Sequence, residues 1–272
     1  MSKNKKAKIG IVGCGAIGAD VAVFIDKSLK KSAQLVGLAD SDKKRAKGLQ
    51  KKLGSKPQIY DLDSLVKRSD LVIEAASVEA AKVILKKALL YKKDVLILSV
   101  GAFVSAVDVF KEAQKKNINI YVPSGAICGI DGLGALRLGN IRKISLTTSK
   151  PPKGLKGADF LKKKRINLEN LIEETVIFKG GVKEAIKYFP KNINVAATLL
   201  LASNSKDVGV CIKTDPKLKR NTHIIEVVAD EAKIKISVEN VPSKSNPKTS
   251  ALAILSTKAL LERIFSPFKV GS

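Results

Sequence analysis

Short apolar runs alternate with amphipathic stretches along the first 122 positions. Positions 8–12 (KIGIV), 34–39 (QLVGLA), 71–74 (LVIE), 95–98 (VLIL) and 118–122 (INIYV) predict buried strands, with a weaker one at 59–60. Between them, apolar residues recur at helical spacing. Val21, Phe24, Ile25 and Leu29 form one such face, and further helices are expected at 43–53, closed by Gly54, at 78–90 and at 107–116. Asp63 or Ser64 is expected to cap a one-turn helix. Strands spaced by helices imply βαβ units and a parallel sheet.

The pattern changes after Pro123. Positions 123–134 (PSGAICGIDGLG) are glycine-rich and carry little charge. Strands are expected at 143–148, 175–178, 208–213, 224–229 and 232–238, and helices at 182–188 and 192–202. Positions 149–164 are rich in Lys, Pro and Gly, without apolar periodicity, and read as an exposed loop. Consecutive strands with fewer helices between them point to a mixed or antiparallel sheet. A last amphipathic helix spans 250–265, with Thr249 or Ser250 as its cap. There is no internal repeat.

The first strand runs into Gly13-Cys14-Gly15-Ala16-Ile17-Gly18. A GxGxxG pattern alone is weak. Here it follows a strand and opens a helix, and Asp40 comes 22 positions after Gly18. Gly13 allows the tight turn, Gly15 lets the backbone approach a pyrophosphate, and Gly18 lets the helix pack on the strand. The free N–H groups of the helix start favour phosphate. Gly13, Gly15, Ala16, Ile17 and Gly18 are therefore the candidate dinucleotide-binding residues of a Rossmann domain. Asp40 is placed to accept hydrogen bonds from an adenosine ribose, which favours NAD. Lys43, Lys44 and Arg45 follow closely and could hold a 2′-phosphate, so NADP stays open.

Composition narrows the function classes. The 272 residues are 45% hydrophobic, enough for real cores, and no apolar run reaches the length of a membrane helix. The lysine-then-apolar start superficially mimics a signal peptide. Glycines 10, 13, 15 and 18 interrupt it, and a cytoplasmic location is expected. Three widely spaced cysteines without a CxxC pair argue against a disulfide framework or a metal site. The net charge is +25, nearly all of it lysine spread along the chain. Aromatics are only 4%, so stacking platforms for nucleic acid are scarce, and dedicated nucleic-acid binding is not expected. A positive field does suit an acidic substrate.

His223 is the only histidine. It follows the polar turn 219–222 and precedes a β-like run, which suits a strand edge facing a substrate cleft. Removing a hydride from an amine-bearing carbon requires a neutral amine, and imidazole titrates near neutrality. Protonated, it could instead hold a substrate carboxylate, and both roles stand open. Asn192, after Pro190 and Lys191, reads either as a helix cap or as a contact to the nicotinamide carboxamide or its ribose. Ser124, Gly125 and Ala126 are small enough for a nicotinamide ring to approach the backbone, or to act as a hinge. Asp131 reads as structural.

Four segments go beyond a generic dinucleotide-binding chain: 123–132 (PSGAICGIDG), 189–198 (FPKNINVAAT), Asn221-Thr222-His223 and 246–250 (NPKTS). With Ser99-Val100-Gly101-Ala102, their order and spacing closely resemble the L-aspartate dehydrogenase family along nearly the whole chain. The resemblance implies an α/β fold: a Rossmann domain plus a smaller α+β domain with a mixed sheet. The expected division is 1–122 for the dinucleotide, 123–248 for substrate, catalysis and dimerisation, and 249–272 as a helix returning to the Rossmann domain. The implied reaction is oxidation of L-aspartate with NAD or NADP to iminoaspartate, which yields oxaloacetate and ammonia or feeds NAD biosynthesis. The resemblance also implies a homodimer, dinucleotide contacts at Ala126 and Asn192, and His223 as the active-site residue. Two other enzymes share this architecture. A dihydrodipicolinate reductase-like reading is disfavoured by the single histidine, and a homoserine dehydrogenase-like one by the NTH and PKNxNVAAT segments. A non-catalytic nucleotide sensor that binds nucleic acid finds no helix-turn-helix or aromatic RNA motif in its support.

Overall fold

The computed structural model describes residues 6–104, 107–189, 194–243, 246 and 249–271. The chain divides into two compact units. One comprises 1–123 with 254–269, and the other 124–253 with 270–272.

The first unit is a parallel sheet flanked by helices. In chain order its elements are β1 (Ala7–Val12), α1 (Ala16–Ser28), β2 (Ala33–Ala39), α2 (Lys43–Lys52), β3 (Gln58–Ile59), α3 (Leu62–Arg68), β4 (Leu71–Glu74), α4 (Val78–Tyr91), β5 (Asp94–Ile97), α5 (Val107–Lys116) and β6 (Ile120–Tyr121). The strands pair in the order β3-β2-β1-β4-β5-β6, all parallel. The order reverses beside β1, and in open α/β sheets ligands bind outside the carboxyl ends of the strands at that switch point.

Ile9, Ile11, Ile73, Leu96 and Ile97 are fully buried, as expected of strands covered on both faces. Val21, Ala22 and Ile25 of α1 bring one helical stripe onto this core. Aspartates and a serine start the next helices: Asp42 Oδ1 accepts from Lys44 N at 2.9 Å, Asp61 Oδ1 from Ser64 N at 2.9 Å, and Ser77 Oγ from Ala80 N at 3.2 Å. The cap of α3 is thus Asp61 rather than Asp63 or Ser64. Asp63 instead binds Lys87 Nζ at 2.6 Å and Tyr91 Oη at 2.9 Å, tying α3 to α4.

The second unit holds α6 (Ile130–Leu136), β7 (Ile141–Lys150), α7 (Asp159–Lys164), β8 (Thr175–Gly181), α8 (Val182–Tyr188), α9 (Asn194–Ser203), β9 (Gly209–Thr214), β10 (Asn221–Ala229) and β11 (Lys233–Asn240). Its strands pair in the order β11-β10-β7-β9-β8. β7 and β9 run parallel and the other neighbours antiparallel, so the sheet is mixed as expected. The stretch read as a loop from 149 to 164 contains the end of β7 and the short helix α7. Its Phe160 packs against Phe178, Tyr188 and Phe189, with ring centroids 5.1–5.6 Å apart. One half-buried aromatic thus anchors a segment whose composition looks solvated.

The last helix, α10 (Ala251–Phe265), adds Leu261, fully buried, to the core beneath α1. Ser250, considered as its cap, turns its hydroxyl to the Asn240 carboxamide. Among the described residues, no helix is long and apolar enough to cross a membrane.

Candidate functional site

Two sets of groups carry the candidate chemistry, one in each unit. The first lies at the carboxyl ends of β1, β2 and β4. Gly13 adopts φ +97°, a left-handed conformation that favours glycine, and a Cβ there would lie 2.5 Å from the Ala75 carbonyl oxygen. A Cβ on Gly18 would lie 1.9 Å from the Gly13 oxygen, so α1 seats on the loop only because that position is bare. Gly15 differs: a Cβ there meets nothing within 4 Å. Nothing inside the fold requires glycine at 15, whereas a closely approaching pyrophosphate does. Gly15 is also the N-cap of α1 and gives no side-chain cap, and the first turn, which holds Ala16 and Ile17, has no acidic residue. This bare helix start and the open face at Gly15 fit a dinucleotide.

Asp40 follows β2. Its Oδ2 accepts from Cys14 N at 2.6 Å and its Oδ1 from Asp42 N at 2.8 Å, which fixes the carboxylate beside the loop. Burial, and then the Asp40 charge, push the Cys14 thiol up to about 12. Arg45 Nε lies 3.4 Å from Asp42 in an exposed pair, so Asp42 draws the guanidinium toward itself.

Glu74 escaped the sequence reading. It ends β4 fully buried and accepts from Ala76 N at 2.7 Å, Leu98 N at 3.2 Å, Ser99 N at 2.9 Å and Ser99 Oγ at 2.8 Å. Burial raises its carboxyl above the usual range, against the lowering effect of these donors. Glu74 thereby ties the loop after β4, which abuts Gly13, to the turn after β5. A carboxylate closing an otherwise apolar strand was the available signal.

The second set occupies one end of one face of the mixed sheet. Alternation along β7 puts Ile144, Leu146, Thr148 and Lys150 on its buried face. On β10 the same face carries Val227, Ile225 and His223, and on β9 Val210, Ile212 and Thr214. Each strand therefore changes from apolar to polar at the same end. Register sets His223 opposite Thr148, and Lys150 beside Thr214.

Thr148 Oγ1 and His223 Nδ1 are 3.0 Å apart, which leaves Nε2 as the ring nitrogen for chemistry. His223 is 5% exposed. Burial, and then the Lys150 charge, lower its pKa to about 4, so the imidazole is neutral at physiological pH. Burial likewise lowers Lys150 to about 8.

Ala126 is half-buried, and its carbonyl accepts from Asn240 Nδ2 at 3.0 Å. Buried Asn240 thus fixes the 124–129 segment, from which α6 starts. Asp131 lies in the first turn of α6 rather than in an open turn. Asn192, with Pro190 and Lys191, lies outside the described residues, as do Pro247 and Lys248.

Comparison with known proteins matches the two halves differently. Residues 13–123 match the NAD-binding domain model of homoserine dehydrogenase. Residues 131–264 match the C-terminal domain model of aspartate dehydrogenase. The cofactor is accordingly NAD or NADP. The chain is 42% identical to an L-aspartate dehydrogenase of Methanosarcina mazei over 97% of this chain and 99% of that one. It is 41% identical to one of Methanocaldococcus jannaschii, with the same coverage. Among solved structures, aspartate dehydrogenase from Thermotoga maritima superposes with a TM-score of 0.77 at 26% identity, covering 98% of this chain and all of that one. On whole-length similarity, the aspartate-type second half and the Rossmann first half, this chain belongs to the L-aspartate dehydrogenase family.

Proposed function

We propose that the protein oxidises L-aspartate to iminoaspartate with NAD(P)+ as hydride acceptor, giving NAD(P)H and a proton, with water then converting the imine to oxaloacetate and ammonia. The observation that carries this reading is the buried, neutral His223, tethered through Nδ1 to Thr148 beside the cationic Lys150. A bound nicotinamide dinucleotide supplies the hydride acceptor, at C4 of its ring.

The chain's own work is positioning and proton handling. An aspartate ammonium has no lone pair to assist hydride departure until it loses a proton. A neutral imidazole accepts that proton at Nε2, and Thr148 holds the ring in one orientation through Nδ1. Of the two roles open for His223, its neutrality favours proton acceptor over carboxylate ligand. An arriving dicarboxylate raises the basicity of the imidazole, because its charge opposes the effect of Lys150.

Gly13, Gly15, Ala16, Ile17 and Gly18 hold the pyrophosphate, and Asp40 the adenosine ribose. Asp40 is oriented by two backbone N–H groups and Arg45 is drawn to Asp42, which favours NAD over NADP. Ala126 and Asn192 are assigned to the nicotinamide end. We assign 1–122 to the dinucleotide, 123–248 to substrate and self-association as a homodimer, and 249–272 to completing the first domain. Supply of iminoaspartate to NAD biosynthesis is the metabolic role this chemistry suits.

The test is direct. Purified protein given L-aspartate with NAD+ or NADP+ should generate reduced cofactor by absorbance, and homoserine should serve poorly. No aspartate-dependent reduction with either cofactor, over a range of temperature and pH, sinks the assignment.

A further inference from the structure

We propose that Lys150 binds a carboxylate of the substrate beside His223, as a substrate-contacting residue of the reaction. The proposal rests on the dicarboxylate reading above and goes beyond it by naming the cation.

Three observations carry it. First, Lys150 breaks its strand's pattern. The buried face of β7 runs Ile144, Leu146, Thr148, Lys150, and among the described residues Lys150 is the one lysine or arginine less than a tenth exposed. Lysine is almost never fully buried in folded proteins without a reason, since desolvating an ammonium is costly. In a chain with 50 basic residues, the burial of Lys150 sets it apart from the other basic residues described.

Second, Lys150 is built into place. Its carbonyl accepts from Thr214 Oγ1 at 3.0 Å and from Asp215 N at 3.2 Å. The turn at Gly154 closes over its stem: a Cβ on Gly154 would lie 3.4 Å from Lys150 Cβ and 3.6 Å from Cδ.

Third, its charge acts on the catalytic ring. Among the described residues, Lys150 is the one charged group lowering the basicity of His223, after burial itself. A carboxylate at that ammonium would restore basicity to His223. The neighbouring Thr148 and Thr214 are neutral, so the anion meets no competing negative charge from them.

The experiment uses the full chain, with Lys150→Met and Lys150→Arg beside the wild type. Succinate, an unreactive dicarboxylate, is titrated calorimetrically in the presence of dinucleotide, and L-aspartate kinetics are measured in parallel. In Lys150→Met, succinate affinity should fall about 30-fold or more, as for removal of one partner of a buried charge pair. The KM for L-aspartate should rise by a similar factor, while dinucleotide affinity is unchanged. Lys150→Arg should keep part of the binding.

Succinate affinity and KM unchanged in Lys150→Met would overturn the proposal, as would failure of succinate to bind the wild type. A lower melting temperature with equal loss in both variants would also overturn it, in favour of a structural role. If the wild type turns over no aspartate yet binds succinate through Lys150, the aspartate reading falls and the carboxylate site stands.

Discussion

The glycine loop after β1 and the polar end of the mixed sheet solve different recognition problems. The loop works with backbone: bare positions at Gly13, Gly15 and Gly18, and an uncapped helix start. The sheet end works with side chains, and strand register brings Thr148, Lys150, Thr214 and His223 together from three strands. A backbone device tolerates change in most side chains and fails when a Cβ is added. A side-chain device depends on each member's charge and hydrogen bonds. The loop therefore serves any enzyme needing a dinucleotide, while the sheet end is where we propose that the substrate is selected. The family matches divide along the same line: the loop half resembles homoserine dehydrogenase and the other half aspartate dehydrogenase.

Variants break or sharpen this contrast, beginning with the largest effect. His223→Ala should lower kcat about 100-fold or more, the usual scale for a lost proton acceptor, while dinucleotide affinity holds by fluorescence titration. Unchanged turnover would remove His223 from the mechanism. The same residue should make the fold acid-sensitive. Its folded pKa of about 4 lies below the ordinary 6.5, so the unfolded chain takes the proton first. Stability is complete above the upper value and falls as pH drops toward the lower one, by on the order of 3 kcal/mol. Denaturation midpoints across that window should show a slope that His223→Gln flattens.

Gly15→Val separates loop from fold. With open space around the new side chain, its melting temperature should stay close to wild type, while dinucleotide affinity drops about 10-fold or more through steric exclusion. Gly18→Ala, by contrast, should destabilise the free protein, because its Cβ meets the Gly13 carbonyl. Equal melting temperatures in these two variants would erase the distinction between a ligand-required and a fold-required glycine. Thr148→Val should cost about 1–3 kcal/mol in chemical denaturation, by leaving a buried ring nitrogen unpaired. The smallest effect belongs to Asp40→Asn, expected to shift kcat/KM toward NADP+ by a few-fold, about what loss of one like-charge repulsion at a half-exposed site gives.

Much of the first unit was legible because its signals are local. Apolar runs marked β1, β2, β4 and β5, and glycine spacing marked the loop. The cap of α3 was misplaced by two positions because Asp61 and Asp63 are both plausible caps, and only tertiary contact with Lys87 and Tyr91 assigns Asp63 elsewhere. In the second unit the strands were found but their consequence was not. Lys150 fell in the stretch read as a solvated loop, since lysine, proline and glycine crowd that segment. Extending the period-two alternation from Ile144 by three steps, through Leu146 and Thr148, would have reached it. Thr214 and Asn240 had no such local signal, because their partners, Lys150 and Ala126, lie far away along the chain. His223 was singled out by being the sole histidine and by family resemblance, and its partner Thr148 became visible only through register.

The three thiols give this molecule a built-in reporter. Cys14 is buried with its ionisation suppressed, and Cys211 is partly covered and also shifted upward by burial, so both resist alkylation. Cys128 is exposed, two residues beyond the Ala126 carbonyl that Asn240 holds. A maleimide fluorophore should therefore label the native chain at one position without any cysteine being removed. Its emission would follow the 124–129 segment in real time as cofactor and substrate are added.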